Sequence, residues 1–240
     1  MSEDGEATVP FIVVGRSRTG SNLLIDLLQQ SPDIQARGEV IKFLHGKPIA
    51  SAIAEGFRPQ GRTTRTRRGF KFFYYHPLDG DPAEAWALLR DIPDLRVIHL
   101  VRRDLLATVI SRAVLSRTNQ SRRLEGSAAA FDSSRGALRP FNIDPQAAVD
   151  EGLKTIAWEK QVRQFSWHRD PIEIAYEDLA GDMSMTLRRV AQELDVGVWQ
   201  AHPRHLRQSN PTDRSSLVSN YVDVLRAFRS SPLRERAPGV

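Results

Sequence analysis

The 240-residue chain contains no cysteine. Disulfide scaffolds, thiolate metal sites and cysteine nucleophiles are thereby excluded. No apolar run approaches the roughly 20 residues that a membrane-spanning helix needs. The opening MSEDGEATVP is acidic and lacks the apolar centre of a signal peptide, so the expectation is a cytoplasmic protein with no integral membrane segment. The six histidines show no metal-ligand spacing such as HExxH, and no metal is expected. There is no internal repeat and no heptad array.

Lysine is sparse. Arginine carries most of the formal net charge of +5 and of the pI of about 9.9. That balance favours an anionic ligand or surface. The densest basic run, RPQGRTTRTRR from Arg58 to Arg68, lacks interleaved aromatics and helical spacing. It reads as a solvated loop, or else as a run that steers an anionic acceptor or the cofactor, and it makes no case for nucleic acid.

What is present is an alternation of strands and helices. Strands are expected over 10–14, 69–75, 95–101 and 171–176. Helical spacing covers Leu23 to Leu28, 83–92, 104–117, 185–194 and 216–228. Asp81-Pro82 with Glu84 supplies an N-cap, a first-turn proline and a capping-box acid. Asp144-Pro145 opens another helix, with Val149, Leu153 and Ile156 on one face. The pattern implies α/β architecture, a P-loop-like three-layer sandwich whose central parallel sheet is flanked by helices. One domain is expected over 10–230, with a disordered N-terminus over 1–9 and a frayed tail over 231–240. Residues 117–144 are polar, aperiodic and rich in Ser, Arg and Gly. They read as a mobile insertion that covers a ligand.

The chemistry begins at GRSRTGSN. Gly15 and Gly20 have the spacing of a phosphate loop that opens a helix, where backbone N–H groups and the helix N-terminus hold an anion. Glycine supplies positive φ and close approach. Ser21 and Asn22 can donate from the first turn, and Arg16 and Arg18 add charge. An NTPase loop ends Gly-Lys-Ser/Thr and works with an acidic residue at the end of a neighbouring strand that holds Mg²⁺. Here Ser21-Asn22 follows Gly20, and the third expected strand runs into Arg102 and Arg103. Two cations there repel a metal and attract a second anion. The ligand should carry an extra phosphate and need no Mg²⁺.

These residues resemble those of the bacterial sulfotransferases, most nearly the carbohydrate-modifying type. That family has a Pro-Arg-Ser-Gly-Thr-type loop between a strand and a helix. Here the loop reads Ser17-Arg18-Thr19-Gly20-Ser21, with Ser17 where the family has proline. Its second signature is an Arg after a strand and a Ser eight residues on, matched by Arg103 and Ser111. ARGEV at 36–40, GFKFFYY, YEDL at 176–179 and SNY at 219–221 resemble further landmarks.

The resemblance implies the donor 3′-phosphoadenosine-5′-phosphosulfate, with Arg16, Ser17, Arg18, Thr19, Gly20, Ser21 and Asn22 at the phosphosulfate. Arg103 and Ser111 would hold the 3′-phosphate. It implies an acceptor hydroxyl on a small molecule or glycan, and Glu39 as the base that deprotonates it. Burial would raise the Glu39 pKa toward neutrality. His76, just after the second expected strand, is the other candidate base, and His99 reads as a packed core residue. Arg18 would stabilise the leaving phosphate oxygen. Lys71, a lone charge in an apolar strand, needs a partner; it positions Glu39 or an acceptor oxygen, or it snorkels. A loop at 207–216 is expected to close over the adenosine phosphate. Two other classes stay open: a P-loop small-molecule kinase and a non-catalytic nucleotide-binding module. No interface stripe fixes the oligomeric state, a homodimer included.

Overall fold

A computed structural model describes residues 8–61, 63–118, 139–204 and 214–238. Residues 1–7, the centre of the expected insertion at 119–138 and most of the 207–216 loop lie outside them. The chain divides into two compact units, Met1–Val101 with Glu159–His202 and Arg102–Trp158 with Pro203–Val240.

The first unit is built on five parallel strands: β1 (Val9–Gly15), β2 (Ile34–Arg37), β3 (Arg67–Phe73), β4 (Arg96–Val101) and β5 (Ile172–Ala175). Their order is β2-β3-β1-β4-β5. The strands β1 and β4 have no polar residue at their centres except His99, as strands covered on both faces require. Register fixes which residues share a face. Val13 lies beside Lys71 and Ile98, and Val14 beside Phe72 and His99.

One face, carrying Phe11, Val13, Ile34, Ile98, Leu100 and Ile174, is buried under α1 (Ser21–Leu28), α6 (Tyr176–Gly181) and α7 (Met183–Leu194). The other face meets α2 (Ile49–Phe57) and α3 (Pro82–Arg90). Gly56 of α2 rests on the Phe70 ring, and Trp86 of α3 lies edge-on to Phe72 at 5.4 Å. Each fully buried Leu, Ile or Phe contributes about 1.5–3 kcal/mol relative to exposure. The caps act as their sequences suggest. Asp81 accepts from Ala83 N–H at 2.8 Å, and Asp182 accepts from Met185 N–H at 2.9 Å.

The second unit packs α4 (Leu105–Thr118), the start of α5 (Pro145–Gln164) and α8 (Tyr221–Arg229) around Leu105, Leu106, Ile110, Val149, Val224 and Phe228. Three expectations need correction. Leu153 is exposed, because the α5 seam runs through Val149, Gly152 and Ile156. A Cβ on Gly152 would meet the Leu233 side chain at 2.4 Å, so the helix turns its glycine inward and Leu153 outward. The tail does not fray at Ser231. Leu233 is fully buried, and a 3-10 helix covers Arg234–Arg236. The described ends of the 117–144 segment are also structured. Arg117 belongs to α4, Phe141 bridges to Val218, and Asn220 bonds both backbone groups of Ile143.

The structure also holds β2 and α2, for which the sequence showed no periodic signal. It draws two arginines of the basic run into β3. Arg67 donates to the carbonyls of Leu194 and Asp195, closing the C-terminus of α7, and Arg68 donates to Thr8 Oγ1 and Arg65 O. These two charges serve the fold.

Candidate functional site

Ligands of open α/β sheets bind beyond the carboxyl ends of the strands. In the first unit, three segments that carry expected site residues leave the sheet there: the loop after β1, Gly38–Lys42 after β2 and Tyr74–His76 after β3. Tyr176 follows β5.

The β1 loop owes its shape to two kinds of constraint. Gly15 allows close approach: a Cβ there would lie 2.7 Å from the Leu100 carbonyl oxygen. Its φ is not positive; the left-handed residues are Arg18 (φ 75°) and Gly20 (φ 86°). A side chain at Gly20 would run into Tyr176, 2.4 Å away. A non-glycine residue at positive φ costs about 1–2 kcal/mol. Such residues cluster at ligand sites, where their surroundings hold them in place. Thr19 Oγ1 donates to Arg16 O at 2.8 Å, so the Thr19 hydroxyl proton closes the loop itself. Arg16 is wholly buried, and its charge is felt by Tyr74; Arg18 is half-buried. Gly20 then leads into α1, whose first turn carries Ser21 and Asn22.

Backbone pairing brings Glu39 to this loop. The Lys71 N–H donates to Gly38 O at 3.1 Å, which continues the β2–β3 pairing one step past β2. Lys71 lies on the α1 side of the sheet, only 3% exposed. Its ammonium donates to Asn22 Oδ1 at 2.7 Å and lies 2.9 Å from Glu39 Oε1. The snorkelling alternative is thus ruled out. Lys42, three residues beyond Glu39, adds a looser ion pair at 3.7 Å.

These cations overturn the expected pKa of Glu39. Burial does push its carboxyl up. The Lys71 charge and hydrogen bond, with the charges of His76 and Lys42, outweigh burial, and the net shift is downward. Glu39 is therefore a carboxylate at neutral pH.

His76 is fully buried beside it. Phe73 N–H donates to His76 Nδ1 at 3.3 Å. In the neutral ring Nδ1 is thus the acceptor, and Nε2 carries the hydrogen. Burial lowers the His76 pKa from 6.5 to about 4, against the opposing pull of Glu39. The ring is neutral at pH 7, with one nitrogen engaged and the other protonated. Nε2 lies 3.8 Å from Glu39 Oε2 and has no hydrogen-bond partner among the described residues.

On the opposite face of the sheet, His99 is a packed core residue with polar partners. Tyr74 Oη lies 2.8 Å from His99 Nε2, and Glu173 Oε2 lies 3.1 Å from Nδ1. Arg163 holds the same Glu173 oxygen at 2.7 Å.

Arg103 and Ser111 belong to the second unit. Arg103 is exposed at the turn into α4, and Ser111 is buried about 9 Å along that helix from Leu105. Asp104 caps α4 through Ala107 N–H and pairs with Arg214. Arg236 donates to the carbonyls of both Arg102 and Arg103, at 2.7 and 2.9 Å. Sequence reasoning overlooked Lys42 and Arg236 as neighbours of site residues, and held Tyr176 only as the first residue of the YEDL landmark. Only Lys42 carried a local signal, its i,i+3 spacing from Glu39.

Among the described residues no group of three or more His, Cys, Asp or Glu is placed to hold a metal ion, and no helix is long and apolar enough to cross a membrane.

No family model matches this chain, and no curated protein matches it. Solved structures do. A sulfotransferase from Alicyclobacillus acidocaldarius aligns at 16% identity over 94% of this chain and 96% of its own, with a TM-score of 0.51. Sulfotransferase STF9 from Mycobacterium avium aligns at 13% identity over 95% and 76%, TM-score 0.47. The sulfotransferase domain of the Synechococcus PCC 7002 olefin synthase aligns at 14% over 99% and 84%, TM-score 0.47. The first of these likenesses shows the fold: an α/β protein with a five-stranded parallel sheet flanked by helices.

Proposed function

We propose that this protein is a sulfotransferase that moves a sulfuryl group from 3′-phosphoadenosine-5′-phosphosulfate to an acceptor hydroxyl of a carbohydrate or glycolipid. One observation carries the reading: a single buried ammonium, Lys71, touches both Asn22 at the head of the loop helix and the carboxylate of Glu39. An anion cradle and a general base therefore adjoin. The cradle fits a phosphosulfate in its chemistry. It combines a half-buried arginine held at positive φ, the head of α1 and two first-turn side chains that can donate. The solved structure whose likeness shows the fold is a sulfotransferase by name.

The donor supplies an activated sulfuryl group, whose S–O bond to the 5′-phosphate breaks as the bond to the acceptor oxygen forms. Glu39, ionised at rest, takes the hydroxyl proton. His76, neutral with hydrogen on Nε2, donates to the acceptor oxygen and fixes its approach; it is not the base. Arg18, with Ser17, Ser21 and the loop amides, takes up the charge that develops on the leaving phosphate. Thr19 and Gly20 shape the loop around it. In the second unit, Arg103 and Ser111 bind the 3′-phosphate.

The test is a thermal-shift titration with 3′,5′-diphosphoadenosine, followed by an acceptor screen with wild type and Glu39→Gln. Stabilisation by the diphospho-nucleotide is expected, with turnover in Glu39→Gln reduced about 10²- to 10⁴-fold and nucleotide affinity kept. A protein that bound ATP–Mg²⁺ tightly and ignored the diphospho-nucleotide would instead be a kinase. Unchanged turnover in the variant would remove Glu39 from the base role.

A further inference from the structure

We infer that Lys71 is the loop's missing lysine, supplied from a different strand, and that it orients the Asn22 amide and the Glu39 carboxylate together. This rests on the functional reading above and deepens it. The sequence has no lysine at or next to Gly20, where an NTPase loop keeps its cation. The β3 strand delivers one from the side, with its ammonium 2.7 Å from Asn22 in the first turn of α1.

The direction of that hydrogen bond matters. An ammonium only donates, so Asn22 must present its oxygen to Lys71. The two Asn22 Nδ2 hydrogens are thereby turned away from the cation and become donors for an anion at the head of α1. Without Lys71 the amide can flip and offer an acceptor to the anion instead. The second contact, 2.9 Å to Glu39 Oε1, fixes one carboxylate oxygen and leaves Oε2 toward His76. The Phe73 ring lies 5.1 Å from the ammonium, close enough for a cation–π contact.

Burial at this depth also explains why the residue is a lysine. A compact ammonium has three donors and can serve two acceptors at an angle, whereas a planar guanidinium is built for a fork. The ion pair also couples the two halves of the site. Lys71, Lys42 and His76 are the charged and titratable groups that act on Glu39, and Lys71 is foremost among the charges. When Glu39 accepts a proton, Lys71 loses its counter-charge, and its field is left to act on the anion held by the loop.

The test uses Lys71→Met, which keeps the strand's apolar volume, with Lys71→Arg and Asn22→Asp alongside it. Two readouts are followed: affinity for 3′,5′-diphosphoadenosine, and the titration of the Glu39 carboxyl by ¹³C NMR, assigned with Glu39→Gln. In Lys71→Met the affinity should fall about tenfold or more, and Glu39 should titrate at higher pH than in wild type. Asn22→Asp keeps a partner for Lys71 but has no donors; it should fold normally and lose affinity as well. Lys71→Arg should restore the Glu39 titration more fully than the nucleotide affinity. Wild-type affinity in Lys71→Met, or an unmoved Glu39 titration, overturns the inference. A wild-type protein that itself ignores the diphospho-nucleotide refutes the functional reading instead, and the two failures are thus distinguishable.

Discussion

Protonation of His76 should be the main source of stability loss on mild acidification. The ring is fully buried, its Nδ1 engaged by Phe73 N–H, and burial lowers its pKa from 6.5 to about 4. Below pH 6.5 the unfolded chain binds a proton at this residue, and the folded chain does not until about pH 4. Stability is therefore complete above 6.5 and declines as the pH falls toward 4. Each pH unit in that window is worth about 1.4 kcal/mol, and the whole window about 3 kcal/mol. That is a large share of the roughly 5–15 kcal/mol typical of a folded domain. Glu39, with its pKa lowered, loses its own contribution only at the acid end of the range, below its ordinary 4.5. The interval just below pH 6.5 thus isolates the histidine. Urea unfolding followed by circular dichroism should show the decline in wild type. His76→Asn, whose Oδ1 can accept from Phe73 N–H, should be less stable at pH 7 but nearly flat across the window. The two proteins should converge by about 3 kcal/mol between pH 7 and 4. A difference between them that stays constant with pH would refute the buried neutral imidazole, and with it the assignment of hydrogen to Nε2.

Three more outcomes follow from close contacts and from the phosphate ligands. Gly69→Ala would set a Cβ 2.1 Å from the Phe11 carbonyl oxygen. Only a shift of paired backbone relieves that, so chemical denaturation should show a loss of at least about 2 kcal/mol. Gly38→Ala meets nothing within 4 Å and should stay within about 0.5 kcal/mol of wild type; a large loss there would mean that this glycine matters for a reason other than space. Arg103→Ala should weaken binding of 3′,5′-diphosphoadenosine far more than that of its 3′-dephospho form, as measured by calorimetry. Equal weakening of both would remove Arg103 from the 3′-phosphate.

How much could be read in advance depended on distance along the chain. The strand β1 was legible because four apolar residues run between a proline and a glycine. The start of α3 was legible because Asp81, Pro82 and Glu84 are neighbours. The loop spacing Gly15 to Gly20 is equally local. By contrast β2 is a four-residue edge strand, IQAR, whose assignment comes from pairing with β3, and α2 owes its place to the Phe70 ring under Gly56. Leu153 was misplaced because a glycine, not a leucine, fills the tight point of the α5 seam. The site shows the same division. A lone lysine inside GFKFF announces that it needs a partner. It does not say which partner, since Glu39 comes from another strand's end and Asn22 from a helix. The sign of the Glu39 shift failed for that reason. Burial can be guessed from sequence, but the cations that outweigh it are brought in by the fold.

The placement of charge in the first unit follows from the two-residue period of β3. Lys71 faces α1, and its charge is met there by Glu39 and Asn22. Tyr74, after the end of the strand, turns to the other face, where His99, Glu173 and Arg163 form a second polar chain. The apolar strand β1, which lies beside β3, carries no charged residue. The Tyr74 N–H also donates to Gly15 O at 3.0 Å, tying the second chain to the base of the phosphate loop. Breaking a buried ion pair by removing one partner costs more than never having built it, because the remaining charge has nowhere to go. Lys71 and Glu39 are therefore mutually constrained. Glu39→Gln leaves an amide oxygen that still accepts from the ammonium, whereas Glu39→Ala removes both that acceptor and the carboxylate's charge. If the pair is a device for holding the base, Glu39→Ala should be less stable than Glu39→Gln, and Lys71→Met should recover part of that loss when combined with Glu39→Ala. Additive effects in that double variant would mean that the two residues touch without depending on one another.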